Sequence, residues 1–160
     1  MSEIRVQVAN LEHLRFVNDI LKTIEDSAKV RGTGIAKRKP EYIESKILEG
    51  KAIIAFENES FVGFCYIETW GQKQFVANSG LIVRPEYRGR GIGRALLEAC
   101  ENALPTQLIH LCVRISNEEA IRMYKMAGYY NIDRWSKYYN DGEDSLVMEK
   151  MKGVEANSAL

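Results

Sequence analysis

Apolar and polar residues follow two different spacings along the N-terminal third of the chain. Residues 4–8 alternate between the two kinds, which predicts a half-buried strand. Apolar residues then recur every three or four positions, at Leu14, Val17, Leu21, Ile24 and Ala28. This spacing predicts one apolar helix face, and the glycines after Arg31 end that helix. Pro40 begins a second short helix that runs to Gly50.

The rest of the chain predicts six strands and two further helices. The strands are expected at 51–56, 61–68, 75–83, 108–115, 132–139 and 145–151. One helix follows Gly91 and is stopped by Pro105, and the other follows Asn117. Residues 140–143 read Asn-Asp-Gly-Glu, a hairpin signal between the last two strands. The predicted order is therefore β-α-α-β-β-β-α-β-α-β-β.

Composition is that of an ordinary globular protein and narrows the choice of partners. The 160 residues are 46% hydrophobic and 28% charged, which predicts a single domain over 1–153 with a patternless tail at 154–160. Basic and acidic residues number 22 each, so neither a nucleic acid nor a membrane surface is favoured as a partner. Three cysteines in apolar runs predict buried free thiols in a cytoplasmic protein. His13 and His110 have no Cys or His at ligand spacing, so no metal is expected.

One glycine-rich stretch lies between a predicted strand and a predicted helix. Its members are Arg88, Gly89, Arg90, Gly91, Ile92, Gly93 and Arg94. Glycines let the backbone approach a ligand, and the N–H groups of the first helical turn point toward it, so this arrangement suits a pyrophosphate. The spacing fails the dinucleotide pattern at its third glycine, and no Lys-Ser/Thr follows as in a P-loop. A plain strand-to-helix turn remains the alternative.

Two motifs together give the chain a family resemblance. Arg88-x-x-Gly91-x-Gly93 resembles the acyl-CoA loop of the GCN5-related N-acetyltransferases (GNAT). A later segment is similar to the family's second motif at Asn117, Ala120, Tyr124, Gly128 and Tyr129. The resemblance implies an α/β (α+β) fold of the GNAT acyl-CoA N-acyltransferase type. Such a fold has a central, mixed but mostly antiparallel, splayed sheet of about seven strands flanked by four helices.

The same resemblance implies acetyl-CoA as co-substrate and roles for several residues. The edge formed by Leu81, Ile82 and Val83 would pair with the cofactor's pantetheine arm. One N–H there would bind the oxyanion, a contribution of about 3 kcal/mol. Tyr124 would be the acid that protonates the departing thiolate; the plainer interpretation is that an aromatic residue on such a helix is usually core. Asn117 is the helix cap, a ligand of the cofactor arm, or both. Ala120 matches the motif beside them.

The base that takes the proton from the amine is not evident in the sequence. Residues 75–81 contain no carboxylate, and Glu68 on the preceding strand is the candidate, with a solvated strand end as the plainer interpretation. An α-amine with a pKa near 8 is about a tenth neutral at pH 7, whereas a lysine amine is almost wholly charged. We therefore expect an α-amine acceptor.

Two segments bear on the acceptor and favour different substrates. Arg31, Thr33 and Arg38 lie in a glycine-containing basic segment that could clamp the carboxylate of a small amino-acid-like molecule, the favoured acceptor. Tyr138, in a stretch similar to the ending of ribosomal-protein N-terminal acetyltransferases, favours a peptide N-terminus instead. An acyl-CoA-binding sensor without catalysis and a mononucleotide-binding domain are rival interpretations of the whole chain. A homodimer is expected only by analogy with the family.

Overall fold

The fold is an eight-stranded sheet with two helices on each face. The structure is a computed structural model that describes residues 3–31, 39–70, 73–76 and 81–153. The helices are α1 Val17–Arg31, α2 Pro40–Leu48, α3 Ile92–Ala103 and α4 Glu118–Met126. The strands are β1 Arg5–Val8, β2 Ala52–Glu57, β3 Ser60–Trp70, β4 Lys73–Val76, β5 Ile82–Val83, β6 Leu108–Arg114, β7 Tyr130–Trp135 and β8 Ser145–Met151. Short 3₁₀ helices at Leu11–Phe16 and Pro85–Tyr87 precede α1 and α3.

The sheet is mixed and mostly antiparallel, as predicted. Seven strands follow the order β1-β2-β3-β4-β6-β8-β7, and β5 pairs beside β4 on the same edge of β3. The β4–β6 pair is the parallel one among the described strands, and its register joins Gln74 to Ile109 and Phe75 to His110. Strand β5 pairs only with β3, through Gly63↔Val83 and Phe64↔Ile82. Within the described residues no ladder joins β5 to β6, so the sheet opens between them.

Alternating side chains divide the core between the two faces of the sheet. Ile54, Phe64 and Tyr66 pack with the apolar faces of α1 and α2. Cys65 and Leu111, which point the other way, pack with α3 and α4. We call these the α1/α2 face and the α3/α4 face. Because side chains alternate along a strand, a residue's number within β3 or β6 decides which face it serves.

Two predicted strands were wrong in their limits. The single strand expected at 75–83 is two strands, β4 and β5, which pair with different stretches of β3; residues 77–80 lie outside the described residues. The strand expected at 132–139 is β7, Tyr130–Trp135, and the chain leaves it before Lys137, whose φ is +50°. A left-handed residue ends the extended backbone there. Connection 136–144 is thus longer than the hairpin signal indicated.

All three cysteines are free thiols buried in the fold. Cys65 and Cys100 lie on β3 and α3 with their sulfurs 3.1 Å apart, and Cys112 lies on β6. Within the described ranges, no group of three His, Cys, Asp or Glu residues is arranged to hold a metal ion. No described helix combines the length and apolar character needed to cross a membrane. The tail predicted at 154–160 lies outside the described residues, and the single-domain boundary stays a prediction.

Candidate active site

The turn between β5 and α3 has the backbone geometry that an anion site requires. Gly89 and Gly91 have φ of +78° and +79°, and a Cβ at either position would meet open space. Gly91 is the N-cap of α3 and provides no side-chain hydrogen bond, so the first-turn N–H groups have no side-chain cap. Those donors and the positive end of the helix dipole suit a phosphate, and we call residues 88–93 the phosphate turn.

The three arginines of this turn differ in the hydrogen bonds and ring contacts that their guanidinium groups make. The Arg88 guanidinium donates weakly to the Val83 carbonyl at 3.4 Å, and the Arg90 guanidinium lies 5.2 Å from the Tyr87 ring centre. Arg94 donates to Glu98 one turn later, at 3.1 Å. Arg88 and Arg90 are exposed on the loop. They therefore present positive charge beside the helix N-terminus.

The two remaining motif positions of the turn face the protein core and the neighbouring helix. Ile92 is buried in the core under α3, so only its backbone can face a ligand. Gly93 lies within the helix, and a Cβ there would meet Met123 Sδ at 3.5 Å, an ordinary contact. A small residue at 93 thus lets α3 and α4 approach each other.

The edge of β5 presents specific backbone groups to the opening in the sheet. Arg84 N–H donates to the Val62 carbonyl at 2.8 Å, which places Val83 at a position that does not bond to β3. By the same alternation the backbone groups of Leu81 and Val83 point away from β3, whereas those of Ile82 point toward it. Of the three predicted edge residues, Leu81 and Val83 can therefore offer an N–H to a ligand in the opening.

Helix α4 begins with a side-chain cap and carries a buried tyrosine. Asn117 Oδ1 accepts from Ala120 N–H at 3.3 Å, so the predicted cap is confirmed. Tyr124, seven residues further on, is buried at 4% exposure in the core cluster that includes Ile92. Leu81 and Val83 pack against the same cluster. Tyr124 is thus on the α3/α4 face, in the same core cluster as the predicted pantetheine edge, and its catalytic role stays a prediction.

The ring of Tyr124 packs against a second tyrosine, which is hydrogen-bonded to a buried glutamate. Its ring lies edge-on to Tyr129, 6.0 Å between centres, and Tyr129 Oη donates to Glu101 at 2.8 Å. The Lys150 ammonium donates to the other oxygen of Glu101 at 2.9 Å. Burial, together with the negative charge of Glu101, raises the pKa of Tyr129 well above its ordinary value. Tyr129 therefore stays a neutral phenol. Its hydrogen bond to Glu101 fixes the ring against which Tyr124 packs.

Glu68 is buried on the opposite face and does not end in solvent. It is 9% exposed, and its carboxylate accepts a hydrogen bond from Tyr42 Oη on α2. The Lys46 ammonium lies 5.5 Å from the centre of the Tyr42 ring and donates to the Ile67 carbonyl at 3.0 Å. The interpretation of Glu68 as a solvated strand end was therefore wrong.

Tyr138 approaches the same face from the β7–β8 connection. It packs against the small cluster of Cys112 and Val147, and its ring centre is 5.4 Å from that of Trp135. Burial raises the pKa of the Cys112 thiol to about 11; hydrogen bonds from Ser145 and Tyr138 act against this, and the charge of Glu68 adds to it. Cys112 thus packs against Tyr138 and is near enough to the Glu68 carboxylate for its charge to act on the thiol. We call Tyr42, Glu68, Cys112 and Tyr138 the Glu68 cluster.

The basic segment predicted to clamp a carboxylate falls almost wholly outside the described part of the chain. Arg31 ends α1, but its side chain lies outside the described residues, as do Thr33 and Arg38. Their contribution to acceptor binding stays a prediction.

The structure thus places the predicted groups that it describes on the two faces of the sheet. The phosphate turn and Tyr124 belong to the α3/α4 face, and the Glu68 cluster belongs to the α1/α2 face. The unpaired edge of β5 lies between them. An acyl donor on one face and an amine on the other could therefore meet in the plane of the sheet.

Sequence reasoning missed Tyr42, Cys112 and Arg114 as members of this region. Cys112 could have been found by strand parity, because it alternates with Leu111 and Val113, which serve the other face. Tyr42 gives no local signal, since its partner is 26 residues away. Arg114 donates to carboxylates 27 and 29 residues further along the chain.

The fold and the phosphate turn define an acyltransferase-like architecture, and comparison with known proteins names the family. The model of the acetyltransferase (GNAT) family matches residues 21–129. The chain belongs to this family. An E. coli L-amino acid N-acetyltransferase is 30% identical over 112 residues, which is 64% of this chain and 68% of that protein.

Other relatives are similar over shorter stretches. An uncharacterised N-acetyltransferase of Methanocaldococcus jannaschii is 41% identical over 87 residues, 52% of this chain and 54% of its own. An N-alpha-acetyltransferase of Sulfurisphaera tokodaii is 39% identical over 72 residues, 42% and 43% of the two chains. The chain thus spans about half the length of the first curated relatives it matches.

Two solved structures cover nearly the whole chain. A Bacillus cereus acetyltransferase of the GNAT family superposes with a TM-score of 0.74 at 24% identity, covering 94% of this chain and 98% of its own. The E. coli ribosomal-protein-S18-alanine N-acetyltransferase superposes with a TM-score of 0.73 at 22% identity, covering 95% and 96%. At these identities the likeness speaks for the fold alone.

Proposed function

We propose that this protein is an acetyl-CoA-dependent N-acetyltransferase whose acceptor is the α-amine of a peptide or protein N-terminus. The observation that carries the proposal is the opening between β5 and β6, with a phosphate turn and a buried tyrosine on one face and the Glu68 cluster on the other. In such an arrangement acetyl-CoA and the amine approach from opposite faces of the sheet, so both can be bound at the same time. The amine can then attack the thioester directly in a ternary complex.

The residues of the turn fit the diphosphate of acetyl-CoA. The uncapped N–H groups after Gly91 and the exposed charges of Arg88 and Arg90 suit its phosphates, and the N–H of Leu81 or Val83 suits a carbonyl oxygen in the opening. Asn117 and Ala120, at the start of α4, would contact the cofactor arm, as the family motif implies. Tyr124 can hold a proton for the departing thiol, since a phenol is the weaker acid of the two.

On the acceptor face the Glu68 carboxylate is the group that can take a proton from the amine. It is held by the phenol of Tyr42, and the raised pKa of the nearby Cys112 thiol keeps that thiol neutral. A carboxylate oriented by a hydrogen bond in a buried setting is suited to general-base work. Tyr138 would line the channel by which the amine arrives.

A peptide fits this face better than an acidic amino acid does. Among the described residues, Arg114 at the end of β6 is poorly placed to bind the carboxylate of a free amino acid, because Asp141 and Glu143 already hold its guanidinium. A peptide has no carboxylate near its α-amine, and tyrosines can contact its backbone. The Sulfurisphaera tokodaii relative is an N-alpha-acetyltransferase, which supports the same choice.

A free L-amino acid is the second candidate acceptor. It is favoured by the E. coli L-amino acid N-acetyltransferase, of which this chain covers 68%. The predicted clamp of Arg31, Thr33 and Arg38 would serve it.

The test is thiol release from acetyl-CoA with a matched acceptor panel. The panel pairs short peptides with a free N-terminus against the same peptides blocked at that amine, and adds free amino acids, including acidic ones. We expect release with the free peptides only, and a gain of one acetyl group at their N-terminus by mass spectrometry. Release with free amino acids but not with peptides would transfer the proposal to the second candidate. Cofactor binding without any release would favour an acyl-CoA-binding sensor.

A further inference from the structure

The connection between β7 and β8, residues 136–144, is fastened to the end of β6 by one guanidinium. Arg114 Nη1 donates to both carboxylate oxygens of Asp141, at 3.0 and 2.8 Å, and to Glu143 Oε1 at 2.9 Å. The Arg114 side chain is 13% exposed and that of Glu143 is 17% exposed. The ion pair is therefore largely shielded from water and is stronger than a surface pair.

Glu143 also fixes the connection to the start of α4. Its second oxygen accepts from Ser116 N–H at 2.9 Å, and the Asp144 carbonyl accepts from Ile115 N–H at 3.3 Å. Burial opposes the ionised form of Glu143, but the hydrogen bonds from Ser116 and Arg114 and the charge of Arg114 outweigh it and lower its pKa. Glu143 is thus a carboxylate near neutral pH.

An aromatic series transmits the position of Arg114 to the acceptor face. The Arg114 guanidinium lies 4.1 Å from the centre of the Tyr139 ring. The Tyr139 ring is edge-on to Tyr138 at 5.0 Å, and the Tyr138 ring contacts Trp135 at 5.4 Å. Burial raises the pKa of Tyr139 to about 12, so the stacked ring stays neutral. The ring that borders Cys112 is therefore held through Tyr139 rather than by the strands alone.

We propose that Arg114 and Glu143 are positioning residues for the acceptor: by holding connection 136–144 they set where Tyr138 meets the incoming amine, and they take no part in binding acetyl-CoA. This inference rests on the proposed function, since it requires an acceptor that contacts Tyr138. It differs from a purely structural role in one measurable respect. Loss of the ion pair should raise the KM for the acceptor and leave the KM for acetyl-CoA unchanged.

The variants are chosen so that each removes one part of the interaction. Glu143→Gln removes the charge but keeps an oxygen for Ser116 N–H, so the start of α4 is preserved. Arg114→Met removes the guanidinium and keeps a long apolar stem, whereas Arg114→Lys keeps the charge but lacks the planar group that lies over the Tyr139 ring. Lys152→Met is the matched control, because the Lys152 ammonium donates to the main-chain carbonyl of Glu101 at 3.0 Å near the end of α3, away from the connection.

Steady-state kinetics with a peptide that the wild-type protein acetylates decides the matter. We expect the peptide KM to rise about tenfold in Arg114→Met and Glu143→Gln, less in Arg114→Lys, with the acetyl-CoA KM within about twofold of wild type. The double variant should be no worse than the more impaired single one, because both remove the same interaction. Lys152→Met should lower the melting temperature without raising the peptide KM.

The opposite results separate failure of this inference from failure of the proposed function. An unchanged peptide KM in both single variants, or an equal rise in the two KM values, would show that the ion pair is only structural, with the acetyltransferase assignment intact. A wild-type protein that acetylates no peptide would overturn the proposed function, and the positioning role would fall with it.

Discussion

Replacing Gly63 by alanine tests how tightly the pantetheine edge is held against the sheet. Gly63 lies on β3 directly opposite Val83. A Cβ at this position would lie 2.9 Å from the Ile82 carbonyl oxygen and 3.0 Å from Leu96 Cδ1. Ordinary carbon contacts are about 3.5 Å or longer, so the neighbours must retreat by roughly 0.5 Å. Leu96 is fully buried, and the relief must come mainly from β5 moving away from β3.

The expected cost of Gly63→Ala is about 2 kcal/mol in the free energy of unfolding, within the usual range of roughly 1–3 kcal/mol for an overpacked core. Because β5 moves toward the opening, the affinity for CoA should fall as well, by about tenfold or more. Urea unfolding measures the first quantity and isothermal titration with CoA the second. Gly93→Ala serves as the stability control, since its added Cβ meets nothing closer than 3.5 Å.

Two results would refute this reasoning in different places. If Gly63→Ala unfolds within about 0.5 kcal/mol of wild type, β5 is not packed against β3 as described. If the variant is destabilised but binds CoA as wild type does, the edge of β5 is not part of the cofactor site.

Three other perturbations test the tyrosine, the phosphate turn and the β7–β8 connection. Tyr124→Phe keeps the ring packed against Tyr129 and should lower kcat by about 10- to 100-fold with the acetyl-CoA KM unchanged, as stopped-flow or thiol-release kinetics would show; a large loss of cofactor binding instead would make Tyr124 structural. Gly91→Val places a branched residue at φ +79° on an exposed turn, so CoA binding should vanish while the circular dichroism spectrum is retained; retained binding would remove the phosphate turn from the site. Glu143 and Asp144 have lowered pKa values in the folded state: for Glu143 the hydrogen bonds from Ser116 and Arg114 outweigh a larger opposing effect of burial, and for Asp144 the causes are bonds from Lys137 N–H and then Arg134. The stability that these two carboxylates contribute is therefore complete above their ordinary pKa values of 4.5 and 3.8, and it is lost as the pH falls through their lower pKa values in the folded state. The midpoint of urea unfolding should consequently drop less on acidification in Glu143→Gln than in the wild-type protein.

The parts of the fold that were predictable are those whose cause is local. Gly91 takes a left-handed conformation and caps α3 because the residues within one turn require it, and Asn117 caps α4 for the same reason. Helix faces follow from spacing alone. These features need no knowledge of the distant chain.

The features that could not be predicted depend on pairing across the fold. No pattern within residues 75–83 indicates that the two ends of this segment pair with different stretches of β3. The pairing depends on partner residues up to 20 positions away in the sequence. The bond from Tyr42 to Glu68 and the ion pair from Arg114 to Glu143 join residues 26 and 29 positions apart. Side-chain partners at such separations follow from the topology of the sheet, which a motif does not encode.

The rates at which the three buried thiols react with a labelling reagent report on two different opening motions of the protein. Cys65 and Cys100 are fully buried between the sheet and α3, whereas Cys112 lies at 2% exposure on the face beside Tyr138. A thiol reagent can react only when a fluctuation brings the sulfur to water. Labelling of Cys112 therefore records how often connection 136–144 lifts, and labelling of the other two records how often the whole sheet comes apart. The ratio of the two rates measures how far the acceptor side moves independently of the rest of the molecule.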